Sequence, residues 1–172
     1  YGIYDYVNYT GDESYVWEKG IEVLIGIARF WAQRVNFSED KQKYVMLGVT
    51  GPNEYENNVN NNWYTNYIAI WCLKYTMANV EKLASNDNNR WKEIAAKTNF
   101  NTYELELWKK IILNMYYPMD EKTGIILQQD GYLDKEQIMV DMLPQEDRPL
   151  NQKWSWDRIL RSCFIKQADV LQ

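Results

Sequence analysis

The stretch from Gly48 to Asn66, GVTGPNEYENNVNNNWYTN, interrupts a chain whose apolar residues otherwise recur at helical spacing. Gly48, Gly51 and Pro52 break any helix that reaches them, Glu54 and Glu56 supply two carboxylates, and six asparagines crowd between Asn53 and Asn62. Short amides at this density seek a polar partner, either a hydroxylated ligand or one another. Asn and Gly also favour turns and helix caps for local reasons. Composition therefore leaves two readings open, a functional loop or an Asn-rich turn that caps the next helix.

The flanks read as helices. After the loop, Tyr64, Ile68, Trp71, Tyr75 and Ala78 form one stripe and Tyr67, Ile70, Leu73 and Met77 a second beside it, which predicts a helix buried on more than one side. Before it, residues 36–47 are polar and then apolar at Tyr44 to Leu47. Further upstream, Thr10-Gly11-Asp12-Glu13 has capping-box spacing, and Trp17, Ile21, Leu24, Ala28, Trp31 and Val35 share a face. These predict one amphipathic helix over residues 12–34, with Lys19, Glu22, Arg29 and Arg34 on its solvated side. Tyr1 to Tyr9 precedes it as the tail of a helix or a loop. Downstream come a loop at Asn86–Asn89, a short helix at Trp91–Lys97, and a capping signal at Asn101–Glu104. That signal opens a helix through Leu105, Trp108, Ile112 and Met115, ended by Pro118. Residues 119–154 change character, with a turn at Asp120–Gly124, a short extended piece at Ile125–Leu127 and irregular chain at Pro144–Pro149. Asp157 to Gln172 reads as a single helix, or as an apolar approach with a helix starting near Ala168. Helix after helix joined by long loops is an all-α, two-layer array with at most a short strand or hairpin.

Length and charge bound the function. A chain of 172 residues can bury roughly 70% of the surface its unfolded form exposes, enough for one ordinary domain. It opens at Tyr1 without an initiator Met and stops at Gln172 soon after an apolar pattern begins, which predicts a piece of a longer polypeptide. The formal charge of −5 and the lack of a basic patch argue against nucleic acid, which requires a basic footprint. No apolar run approaches the ~20 residues of a membrane span, so a membrane is not expected as a partner. Histidine is absent, which removes His-dependent acid–base chemistry and most zinc sites from this segment. No metal is expected. Cys72 and Cys163 lie in apolar patterns without CxxC spacing and read as buried, reduced thiols of a cytoplasmic protein. Asn8-Tyr9-Thr10 and Asn36-Phe37-Ser38 fit the glycosylation acceptor pattern, which carries no weight in a cytoplasmic protein. Eight Trp and fourteen Tyr are many for this length. They suit a helical core, and they also form the platforms on which sugar rings stack.

Gly51-Pro52-Asn53-Glu54-Tyr55, the Asn-rich run behind it and Tyr64-Thr65-Asn66 together resemble the catalytic-acid segment of glycoside hydrolase family sixty-five, the inverting disaccharide phosphorylases. Glu56 after the Tyr, and Trp63 before Tyr-Thr-Asn, stand where members acting on kojibiose and trehalose tend to have His and Ala. The wording is similar to the branch that acts on maltose. The resemblance implies that the chain is part of an (α/α)6 barrel, residues 1–172 being a fragment of that single catalytic domain. It also implies that the family's phosphate-binding His and Ser lie further along, and that the Trp-acidic pair on the reacting glucose lies upstream. Full-length members are often dimeric, so a homodimer is expected of the parent protein.

Inverting cleavage of a glycosidic bond takes a general acid on the leaving oxygen and a nucleophile on the opposite face of the sugar. In the resembling phosphorylases inorganic phosphate is that nucleophile, a co-substrate already anionic, so one protein carboxyl suffices and no cofactor is needed. Glu54 matches the family's acid. That role requires a proton at neutral pH and hence a raised pKa, from burial or a like charge, for which Glu56 is the neighbouring candidate. Ile165-Lys166-Gln167-Ala168-Asp169-Val170 resembles a second family motif, in which Lys166 and Gln167 hold substrate hydroxyls; the pair reaches one sugar most easily from a helix entry. The implied reaction is phosphorolysis of an α-glucosidic disaccharide, maltose before trehalose or kojibiose. The alternatives are a related hydrolase or a non-catalytic helical module that binds sugar or protein. Its partners are the disaccharide, phosphate and the remainder of the parent chain, and the isolated segment is expected to be inactive.

Overall fold

The computed structural model describes residues 1–170, and these fall into two compact units, residues 1–35 with 68–115, and residues 36–67 with 116–170. Leu171 and Gln172, the end of the last expected helix, lie outside the described residues.

The first unit is helical. Helix α1 spans Gly2–Thr10 and closes on Gly11, whose φ of 70° lets its N–H reach the Val7 carbonyl at 2.8 Å. The Thr10 hydroxyl turns back to the Tyr6 carbonyl at 2.7 Å. Thr10 therefore ends one helix rather than capping the next, because Gly11 closes α1, while the helix expected from residue 12 does open close by, at Ser14. One wide π turn at Val16–Gly20 then leads into α2, Ile21–Arg34. Of the stripe read from the sequence, Ile21, Leu24 and Ala28 are buried; Ile25 joins them, Trp31 is half-buried, and Val35 lies beyond the helix in extended backbone.

Helix α3 spans Trp63–Asn86, and within this unit it buries Ala69, Ile70, Leu73, Thr76, Val80 and Leu83. Its two sequence stripes collapse to one inner face lying mostly along the second. The α3 helix also runs through Asn86, so the expected loop there shrinks to Asp87, which caps α4, Asn88–Thr98, by accepting from the Arg90 N–H. Helix α5, Thr102–Asn114, begins with the capping box the sequence predicts: Asn101 and Glu104 each satisfy the other's backbone. Arg29, expected on a solvated face, instead makes a two-pronged ion pair with Glu104 (2.7 and 2.9 Å) and holds that carboxyl below its usual range. Val16, Ile21, Leu24, Ile25, Val80, Leu83 and Ile94 form the core.

The second unit is mostly loop and carries the residues singled out as a site. Residues 36–47 form a hairpin, β1 (Asn36–Ser38) antiparallel to β2 (Lys43–Val45), with Phe37 opposite Tyr44. Met119 and Ile126 pair across the turn at Asp120–Gly124. The tail holds two short helices, α6 (Leu150–Lys153) and α7 (Trp156–Leu160). Beyond α7 the described residues are irregular, so no helix starts at Ala168 and Lys166 does not sit at a helix entry. Among the described residues no helix is long and apolar enough to cross a membrane, and no group of His, Cys, Asp or Glu has metal-binding geometry. Cys72 and Cys163 are both free thiols.

Candidate active site

The Gly48–Asn62 loop is held by its own amides. Val49 and Val59 exchange a pair of 2.8 Å backbone bonds that pinch its neck. Gly48, Asn58 and Asn61 take positive φ values of 60°, 50° and 53°, a region that Gly and Asn enter at least cost. Asn61 accepts from the Met46 N–H at 2.9 Å and donates to Asp130 at 2.6 Å. Asn62 caps α3, its oxygen taking the Thr65 N–H at 2.9 Å. Asn60 accepts from the Gly48 N–H. The capping reading of this run is thus realised: Asn60, Asn61 and Asn62 are spent on shaping the loop and opening α3.

What the shaping presents is Glu54. Asn53, fully buried, accepts the Tyr55 N–H at 3.1 Å, which turns the chain so that Glu54 projects outward with 60% of its side chain exposed. Lys166 and Gln167, more than a hundred residues away in sequence, meet it there. Lys166 Nζ forms an ion pair with Glu54 Oε2, and Gln167 Nε2 donates to Oε1 at 3.2 Å. The three residues singled out in the sequence therefore lie in one cluster. Gln167 Oε1 is buried and without a hydrogen-bond partner among the described residues, an open acceptor beside the Glu54 carboxylate. Tyr55 sets its ring at 6.2 Å, edge to face, from Trp156, which is 60% exposed.

The electrostatics depart from expectation. The Lys166 contact, then Gln167, holds Glu54 below the ordinary carboxylate range, rather than above it as a resting proton donor would require. Nor does Glu56 act as a like charge. Its side chain turns inward, 5% exposed, to an ion pair with Lys135, whose ammonium also donates to the Leu160 carbonyl at 2.7 Å. Residues two apart in extended backbone would share a side; here the chain turns at Glu54–Tyr55, with the Glu56 N–H reaching the Asn53 carbonyl at 3.1 Å, and Glu54 takes the solvent while Glu56 takes the interior. Trp63 stacks on Tyr67 at 5.3 Å.

Sequence reading missed Asp169. It accepts from the Asn53 N–H and from Asn62 Nδ2, both at 2.5 Å, while Asn53 Oδ1 accepts the Lys166 N–H at 2.9 Å. A Cβ on Gly51 would overlap the Asn62 amide and the Asp169 carboxylate, so that glycine is required by close approach. The only available signal was Asp169's place two residues beyond Gln167 in the same motif.

The whole chain, residues 1–172, matches the family described as the glycosyl hydrolase family 65 central catalytic domain. It is 55% identical, over all of its length, to maltose phosphorylase of Bacillus subtilis (strain 168), and 37% identical over 99% of it to α,α-trehalose phosphorylase of Thermoanaerobacter brockii. In each case it spans 22% of the relative's length. Among solved structures, one described as a kojibiose phosphorylase from the human microbiome superposes with a TM-score of 0.82 at 32% identity, covering 97% of this chain and 23% of that one.

Proposed function

Because the chain belongs to glycosyl hydrolase family 65, as a segment of its central catalytic domain, we propose that the protein carrying it cleaves maltose by inverting phosphorolysis, giving β-glucose 1-phosphate and glucose. The observation that carries this is the convergence of Glu54, Lys166 and Gln167 on one exposed cluster, with an unpaired acceptor on Gln167. A phosphate oxygen forms the new bond at the anomeric carbon as the glycosidic C–O bond breaks from the opposite face, and Glu54 transfers its proton to the departing glucose oxygen. In the free site Glu54 is held ionised by Lys166. When sugar hydroxyls take the hydrogen bonds of Lys166 and Gln167, the carboxyl loses the groups that lower its pKa, and the covering substrate, by excluding water, raises it toward that of a proton donor. Loading the clamp and arming the acid are then one event. Tyr55 and Trp156 supply aromatic surface beside Glu54 on which a sugar ring can stack.

The same reading makes residues 1–172 part of one (α/α)6 barrel, inactive alone because the phosphate cradle lies elsewhere in the polypeptide. It places the enzyme in the cytoplasm as a homodimer. The test is glucose release by the full-length protein. Release from maltose should require inorganic phosphate and should exceed that from trehalose, kojibiose and nigerose. Phosphate-independent release would show a hydrolase, and a larger kcat/KM on another of these sugars would reassign the substrate.

A further inference from the structure

The geometry points to Asp169 as a positioning residue: we propose that its carboxylate locks the Lys166–Gln167 segment onto the backbone of the Glu54 loop, so that sugar clamp and acid keep one fixed relation. The proposal rests on the phosphorylase reading for its effect on activity, and on the hydrogen bonds alone for its effect on structure.

The contact is reciprocal. Asp169 takes the Asn53 N–H and the Asn62 amide, and Asn53 in turn takes the Lys166 N–H. Two segments separated by more than a hundred residues are thereby joined in both directions, immediately beside Glu54 on one side and Lys166 on the other. Asn53 is 0% and Asn62 1% exposed, so neither amide can exchange its partner for water. Gly51 shows how tight the joint is, since even a methyl group there would overlap both Asn62 and Asp169.

A carboxylate is the side chain this joint requires. Both partners are donors, and only a group with two acceptor oxygens takes both; an amide at 169 would turn an NH2 against one of them. The charge is not there for stability. Burial is the largest influence on Asp169 and pushes its pKa above the ordinary 3.8. A carboxyl whose folded pKa lies above its unfolded one binds its proton more tightly in the native state, so its contribution to stability falls as pH rises between the two values. Ionised Asp169 thus contributes less to stability than its protonated form would, while it holds the two segments together. Glu54 and Lys166 are long side chains on exposed backbone. Without the joint beneath them, the acid and the clamp are held only by the Lys166–Glu54 ion pair and the Gln167–Glu54 hydrogen bond among the described contacts, and substrate must break both.

The experiment uses the full-length enzyme with two substitutions. Asp169→Asn mispairs one of the two donors, and Asn62→Ser keeps a capping oxygen for α3 while removing the amide donor. The expected result is folded protein whose kcat/KM on maltose and phosphate falls about 100-fold for Asp169→Asn and less for Asn62→Ser, with KM raised as well as kcat lowered. Crystal structures of the variants should show Lys166 withdrawn from Glu54. Retention of the parental Lys166–Glu54 contact, or kcat/KM within about threefold of the parent, overturns the proposal. Failure of both variants to fold also overturns it, by making Asp169 a support of the fold. If the parent enzyme shows no phosphate-dependent cleavage of any of the disaccharides, the functional reading fails, and the variant structures alone decide the positioning role.

Discussion

Replacing Lys135 with Met should strand the Glu56 carboxylate in the interior, two residues from Glu54. The side chains of the pair are 5% and 12% exposed, and Lys135 also satisfies the Leu160 carbonyl, so the methionine removes the ion pair and one further hydrogen bond. Removing one partner of a buried pair costs about 3–5 kcal/mol. An independent bound comes from titration: a carboxyl with a reference pKa near 4.3 can escape the buried charge at pH 7 by taking a proton, at about 4 kcal/mol. The loss should therefore lie at about 3–4 kcal/mol at pH 7. Pairing Lys135→Met with Glu56→Gln removes the charge and should recover much of the loss. The assay is urea unfolding of the full-length protein at pH 7, followed by tryptophan fluorescence. A Lys135→Met variant within about 1 kcal/mol of the parent at pH 7 would refute the reasoning, since it would make the pair no stronger than a surface one. A double variant no more stable than the single would refute it equally.

Glu54→Gln should lower turnover on maltose about 10² to 10⁴-fold while leaving sugar binding and thermal stability close to parental, because Glu54 is exposed and Gln keeps an acceptor for Lys166. Parental turnover in that variant would remove Glu54 as the acid. Lys166→Met should raise KM through loss of the clamp. It should also move the alkaline limb of kcat/KM to higher pH, since the cation that holds Glu54 ionised in the free enzyme is gone. An unmoved limb would show that Lys166 does not set the proton affinity of Glu54.

The helical half of the molecule was legible in the sequence wherever a local rule carried the information. The Asn101–Glu104 capping box, the helix closing before Pro118 and most of the α2 apolar stripe follow from bonds and periodicities within a few residues. The same locality explains Thr10, which lies at the end of α1 before Gly11 although a helix does open at Ser14 as the pattern predicts. It explains Arg29 too, whose partner Glu104 is 75 residues away and invisible to any helical pattern.

For the candidate site, the sequence by itself marked Glu54, Lys166 and Gln167, since the motifs that carry them are contiguous strings that resemble the family's in place. Only the tertiary structure decided how they stand. Which way a loop side chain points depends on what lies beneath it, and Lys135 draws Glu56 inward while Asn53 turns Glu54 out. The proton affinity of Glu54 follows from that placement. A raised pKa was the reasonable expectation for an acid considered alone, but a pKa is set by neighbours in space, and the neighbours are Lys166 and Gln167. Asp169 is the clearest case: its partners Asn53 and Asn62 lie more than a hundred residues away. A carboxylate becomes a joint only when folding closes that distance and shuts out the water that would otherwise take its hydrogen bonds.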